Sequence, residues 1–196
     1  MSLTYLQRTS EAPQSRADEL HDLLRQLDLP DARLTSEQLE RVVTTVAGRP
    51  DLFEDLIVDD GQSRWWLLLY RTPSFEVKLL TWAADQSSDW HDHGGSSGAF
   101  RVTAGSLRER RRATDGVGIE SSVHAVGAVA SFGTDYVHDV DFDTGAPAIS
   151  VHAYSPPLHG LTFYDHTPYG FVSREIVLEE RRTDFSSAAP TSTTKL

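Results

Sequence analysis

Two textures divide this chain, and the second constrains the fold most. From Asp60-Gly61 onward, short β-branched or aromatic runs alternate with Gly, Asp, Ser and Pro. They read as strands over Trp65–Arg71, Phe75–Trp82, Trp90–His93, Ala99–Thr103, Leu107–Arg112, Ser121–His124, Ala128–Phe132, Tyr136–Val140, Ala148–Ser155 and Ser173–Leu178. Many short strands separated by turn signals predict a sandwich or small barrel. Ahead of them the pattern is helical. Leu20, Leu23, Leu24 and Leu27 recur at three- and four-residue spacing between Ser15 and Leu29. A second helix starts at Thr35 with Gln38 in the capping-box position, turns Leu39, Val42, Val43 and Val46 inward, and stops at Gly48. Pro50 opens a short third one through Ile57. Helices segregated in this way are expected to pack outside the barrel. The organisation expected is one domain over 15–182, with helices at 15–58 and the β region at 62–180. A flexible segment 1–14 would precede it, and a Ser, Thr, Ala and Pro-rich disordered tail, 183–196, would follow.

Composition narrows the chemistry. The net charge of −11 argues against nucleic acid or an anionic membrane as partner. No run approaches the roughly 20 apolar residues that cross a bilayer, and the N-terminal stretch has no apolar core of a secretory signal. The expected setting is cytoplasmic, and the expected form a monomer that handles a small molecule. The chain has no cysteine, which removes disulfides, thiolate ligands, iron–sulfur clusters and cysteine nucleophiles. A metal here must rely on histidine, carboxylate or water.

The segment His91-Asp92-His93 meets that condition. On a strand, residues two apart share a face, so His91 and His93 can grip one ion while Asp92 points away. His138, on another predicted strand, would complete a triangular face. The glycine-rich run after His93 makes close approach of a ligand easy. Spacing alone leaves iron, zinc or an incidental surface pair open. A second pattern lies in Ala148–Ser155, where period two puts Ser150, His152 and Tyr154 on one face and Ile149, Val151 and Ala153 on the other. Such a polar column on a strand built for burial needs partners. It is either a fold-specifying network or a relay that holds a tyrosine hydroxyl. Arg71 ends the first strand on the face of Leu67 and Leu69. His21, His124, His159 and His166, the arginines of 108–112, and Trp65, Trp66, Trp82 and Trp90 read as surface or core residues.

Over residues 75–155 these motifs resemble the cupins, small β-barrels whose first motif is H-x-H, then Glu, then Gly. Here His93 is followed by four residues, Gly98, six more and Gly105, so glycine stands in the carboxylate slot. Asp85 replaces the leading glycine. In the second motif Gly127 and His138 keep their interval, while Gly133 and Asp135 replace a proline and a glycine. A three-histidine cupin without the glutamate is similar to the thiol dioxygenases, of which cysteine dioxygenase is the best-known type. The run Ser150-Val-His-Ala-Tyr-Ser-Pro-Pro157 closely resembles their Ser-x-His-x-Tyr-Ser-Pro-Pro signature, extending the likeness over 60–165.

The resemblance implies a mainly β fold, a cupin jelly-roll barrel with N-terminal helices outside. It implies Fe(2+) held by His91, His93 and His138, and oxidation of L-cysteine by O2 to cysteine sulfinic acid. It further implies catalytic roles for Tyr154, His152 and Ser150, and binding of the substrate by Arg71 and Tyr154. Arg71 would take the carboxylate, where 3-mercaptopropionate dioxygenases carry glutamine. Animal enzymes cross-link the tyrosine to a cysteine at the position of Gly98, which this chain lacks. Other readings are a dioxygenase for 3-mercaptopropionate or another small thiol, a non-catalytic metal- or ligand-binding cupin, and a sugar isomerase or epimerase.

Overall fold

The fold is seen in a computed structural model that describes residues 6–7, 14–57, 65–83, 87–143 and 147–178. Two helices precede the β region: α1 (Gln14–Arg25) and α2 (Ser36–Ala47). Leu6–Gln7 forms a short strand, β1, parallel to Trp65–Trp66, so this part of the segment expected to be flexible is strand. The other residues of 1–14, apart from Gln14 in α1, lie outside the described residues, as does the expected tail 183–196. The remaining strands are β2 (Trp65–Arg71), β3 (Glu76–Trp82), β4 (Ser97–Ala104), β5 (Ser106–Arg112), β6 (Ile119–Ala125) and β7 (Val129–Phe132). They continue as β8 (His138–Phe142), β9 (Ala148–Ser155), β10 (Gly160–Thr167) and β11 (Gly170–Leu178). Among the described residues, no helix is long and apolar enough to cross a membrane.

Local signals explain the helices. Thr35 caps α2: its Oγ1 accepts from the Gln38 N–H at 3.2 Å, and the Gln38 side chain accepts from the Thr35 N–H at 2.8 Å. The α1 helix ends at Arg25, four residues before the expected Leu29, in a turn in which Asp28 takes a positive φ of 49°. The expected third helix is two single 3₁₀ turns, Pro50–Leu52 and Glu54–Leu56.

The strands form a six-stranded sheet in the order β1-β2-β3-β9-β4-β7, a three-stranded sheet β6-β5-β8, and the β10-β11 ribbon. The six-stranded sheet separates two cores. Its outer face presents Trp65, Leu67, Val77, Leu79, Val151 and Ala153 to Leu20, Leu24, Leu39, Val42, Val43 and Val46 of the helices. Its inner face packs Trp82, Phe100, Phe132 and Tyr154 against Leu107 and Val140 of the opposing sheet. Period-two alternation is what allows one sheet to serve both cores. This is the cupin architecture, with the helices outside the barrel.

Two expectations about strands change. Gly160–Thr167, an unexpected strand, pairs with β11 in register from Gly160↔Leu178 to Thr167↔Gly170. Trp90–His93 is not a strand. Only His91 makes ladder contacts, as isolated bridges to His138 and Phe163. The chain turns directly after His93, where Gly94 has φ +58° and a Cβ would meet the Gly160 carbonyl oxygen at 2.7 Å. A glycine-rich turn packed this closely on a neighbour cannot extend as a regular strand.

Candidate metal centre

The three histidines converge although only one lies on a strand. His91 and His138 exchange backbone hydrogen bonds, N–H to carbonyl, at 2.8 and 3.0 Å. This bridge joins the loop carrying His91 and His93 to β8. Asp92 points away, as expected from its parity, and fastens the loop to β10: Tyr164 Oη donates to its Oδ2 at 2.7 Å, and its own N–H donates to the Thr162 carbonyl. Burial, with the hydrogen bond to Asp92 adding to it, pushes the Tyr164 hydroxyl up to about 12.

The imidazole centroids lie 5.0 Å (His91–His93), 4.8 Å (His91–His138) and 5.0 Å (His93–His138) apart. One nitrogen from each ring falls within 4.8 Å of the others, and all three residues are buried. His91 Nδ1 bonds the Asp89 carbonyl at 2.9 Å, and His138 Nδ1 bonds Glu109 Oε1 at 2.7 Å. Each acceptor fixes the proton on Nδ1 and leaves Nε2 for a metal. His93 is 1% exposed, and neither of its ring nitrogens has a hydrogen-bond partner among the described residues. Burial, then the neighbouring His138 and His91, hold it well below its ordinary value of 6.5, in the neutral form that ligates. A buried imidazole without a protein partner, aimed into a cluster of two others, fits a metal better than it fits a core.

Sequence reasoning missed Glu109. Its carboxylate gathers three donors: His138 at 2.7 Å and Tyr136 Oη at 3.0 Å on Oε1, and His124 Nε2 at 2.9 Å on Oε2. Burial raises this carboxyl, but the hydrogen bonds from His124 and His138 outweigh it and leave it far below the usual range. Burial, with the Glu109 charge beside it, raises the Tyr136 hydroxyl. A signal existed: Glu109 is in phase with buried Leu107 on a strand otherwise rich in arginine. His124, read as bland, therefore sits one residue from the metal cluster. Arg108, paired to Asp141 at 3.0 Å, and Arg111, paired to Glu120, are exposed as expected of a solvated face, whereas Arg110 is half-buried and pairs with buried Asp139. His21, His159 and His166 are exposed.

The polar column of β9 forms as its parity predicts. Trp82 Nε1 donates to Ser150 Oγ at 2.8 Å, Ser150 Oγ meets His152 Nε2 at 2.8 Å, and His152 Nδ1 meets Tyr154 Oη at 3.1 Å. An indole N–H can only donate, so Ser150 Oγ accepts from Trp82, and the column runs on from Ser150 through His152 to the Tyr154 hydroxyl. Trp82, expected only as core, is the anchor of this chain. Trp65 is core as expected, whereas Trp66 and Trp90 are half-buried under Lys78 and Arg110. The Tyr154 ring lies 5.4 Å from His93, so the column ends beside the metal cluster. The following Ser155-Pro156 peptide is cis.

Gly98 faces Tyr154 across the β4–β9 ladder. A Cβ there would lie 2.3 Å from Phe132 Cζ and 3.1 Å from Tyr154 Cδ1. The space for a side chain at 98 is filled by the Phe132 ring, which stacks on His93 at 4.5 Å. Gly98→Ala is expected to cost about 1–3 kcal/mol by overpacking, measured by chemical denaturation. Unchanged stability would mean that Phe132 yields without cost.

Arg71 reaches the interior for a reason the sequence hid. A bulge between Leu68 and Tyr70 shifts the β2–β3 register, so Leu67 pairs with Leu79 but Arg71 pairs with Glu76. Arg71 therefore leaves the face of Leu67, where strict alternation put it, and joins that of Glu76 and Tyr154. Its Nε lies 3.5 Å from Glu76 Oε2, and its Nη2 donates to the Leu158 carbonyl at 3.4 Å.

No curated protein sequence matches the chain. Among solved structures it is similar to TT1209 from Thermus thermophilus (17% identity, 54% of this chain, 94% of that one, TM-score 0.47). It is also similar to the cupin domain of Schizosaccharomyces pombe Cnp3 (11%, 47% and 60%, TM-score 0.42). A third is an oxalate oxidase (16%, TM-score 0.42), where the match covers 45% of each chain, less than half of the oxidase's length. The sequence profile described as cysteine dioxygenase type I matches residues 7–167, from before α1 through β10. That span takes in the histidine loop, the Ser150–Tyr154 column and Arg71 alike, and on it the chain belongs to the cysteine dioxygenase type I family.

Proposed function

We propose that this protein is an iron(II)-dependent thiol dioxygenase that converts L-cysteine and O2 to cysteine sulfinic acid. The observation that carries the reading is that Arg71 shares an inner barrel face with Tyr154, whose ring lies against His93 of the three-histidine cluster. Iron held by three neutral imidazoles would supply a Lewis acid that brings a thiol to its thiolate, and a centre for oxygen chemistry. Arg71 offers a planar guanidinium for the substrate carboxylate and fixes its orientation. Tyr154, held by His152, offers its hydroxyl as a hydrogen-bonding group for the reacting atoms. Phe132 and the buried column keep water from the reacting sulfur. Both atoms of O2 end on sulfur, and the substrate thiolate supplies all the electrons, so no external reductant is needed.

Oxygen uptake by the iron-loaded protein tests this. L-cysteine is expected to drive uptake, with the sulfinate as product. Uptake with 3-mercaptopropionate but not L-cysteine would overturn the substrate, and no uptake with any thiol would overturn the activity. Arg71→Gln is expected to raise KM for L-cysteine about ten- to hundredfold, the worth of a charged hydrogen bond. KM for cysteamine, which lacks the carboxylate, is expected to stay within about threefold.

A further inference from the structure

Beside Arg71 the barrel holds two further charged groups that the family motifs do not include. Glu76 is fully buried. Lys78, two residues on, is 4% exposed. The ladder pairs Glu76 with Tyr154 and Lys78 with His152, which sets both on the inner face. Lys78 Nζ lies 3.2 Å from Glu76 Oε1, 4.2 Å over the Trp66 ring and 6.0 Å from the Tyr154 ring.

An ionised carboxylate buried this deeply needs a cation beside it. Arg71 alone would meet that need best as a bidentate fork, which would close its guanidinium against a substrate. Here the closer cation is Lys78, and the Leu158 N–H donates to the same Oε1 at 3.3 Å. Arg71 stands off, its nearest approach being 3.5 Å from Nε to Oε2. It is also the outer group, with its side chain 25% exposed against 5% for Lys78. Together the three groups carry two positive charges and one negative.

We infer that Lys78 is a positioning residue for substrate recognition: it neutralises Glu76 and so leaves the Arg71 charge free to bind the carboxylate of an acidic thiol. This rests on the thiol dioxygenase reading and deepens it, since it assigns the preference for carboxylate-bearing thiols to the balance of three side chains. Removing Lys78 turns Glu76 onto Arg71 and cancels the charge. Removing the Glu76 charge as well frees Arg71 again.

The test is anaerobic calorimetric titration of the iron(II)-loaded protein with 3-mercaptopropionate and with cysteamine. Lys78→Met is expected to weaken 3-mercaptopropionate about tenfold or more and cysteamine less than about threefold. The double variant Glu76→Gln/Lys78→Met is expected to return 3-mercaptopropionate to within about threefold of the wild type. A merely structural Lys78 would not be rescued by a second core change. Equal loss for both thiols, no loss in Lys78→Met, or no recovery in the double variant would overturn the assignment. So would a wild type that binds the two thiols equally. If Lys78→Met does not fold, Glu76→Gln alone decides: tighter 3-mercaptopropionate supports the assignment, and unchanged or weaker binding overturns it. Intact binding differences without oxygen uptake would sink the dioxygenase reading and leave Lys78 in place.

Discussion

Replacing His93 with leucine is expected to stabilise the metal-free protein while it destroys the metal site. The imidazole is 1% exposed and finds no hydrogen-bond partner for either nitrogen among the described residues. An unsatisfied buried polar group costs about 1–3 kcal/mol, whereas an apolar group of similar shape packs there without that cost. Leucine can fill the space against Phe132 and Tyr154. The expected gain in urea unfolding with chelator present is about 1–2 kcal/mol. Acid sharpens the difference. The folded protein holds His93 neutral well below 6.5, so the unfolded chain binds the extra proton and stability falls as the pH drops through that value. The leucine variant lacks this contribution. On the iron(II) reading proposed above, metal affinity moves the other way, down about a hundredfold or more when the face keeps two of its three imidazoles. A leucine variant that is less stable without metal and still loads iron would show that His93 is a core residue.

Glu109 is expected to produce the second large effect without touching the metal. Its carboxylate fixes the proton on His138 Nδ1, makes the imidazole a stronger donor and clamps His124 and Tyr136 in place. Loss of such a partner typically costs ten- to hundredfold in metal affinity. Glu109→Gln keeps the shape and one acceptor but loses the charge, and an effect of about tenfold is expected. Glu109→Leu leaves His138, His124 and Tyr136 without the acceptor, and is expected to reach about a hundredfold and to lower stability as well. Competition with a chelator of known iron affinity measures both. Wild-type affinity in both variants would mean that the Glu109 contact with His138 does not bear on the metal.

Much of this site was legible in the chain because it is written in backbone periods. H-x-H placed two imidazoles together with Asp92 outside, and the loop kept that parity without being a strand. Period two in β9 put Ser150, His152 and Tyr154 in one column. The capping box at Thr35 and the leucine and valine spacing of α1 and α2 set the helical layer. Where the local period broke, reading failed. One extra residue at the β2 bulge reversed the face of Arg71, and the turn after His93 cut short an expected strand.

By itself, then, the sequence determined which side chains could share a face, since spacing along a helix or strand is a property of the backbone alone. Only the tertiary structure decided which faces meet. It set His91 against His138 through a backbone bridge, brought Glu109 of β5 to His138 of β8, and filled the space at Gly98 with the Phe132 ring. It also turned Arg71, Glu76 and Lys78 into one cluster. Apart from the Glu76–Lys78 pair, two residues apart on β3, these contacts join residues whose separation in the chain carries no period, and they arise from the register of strands paired across the barrel.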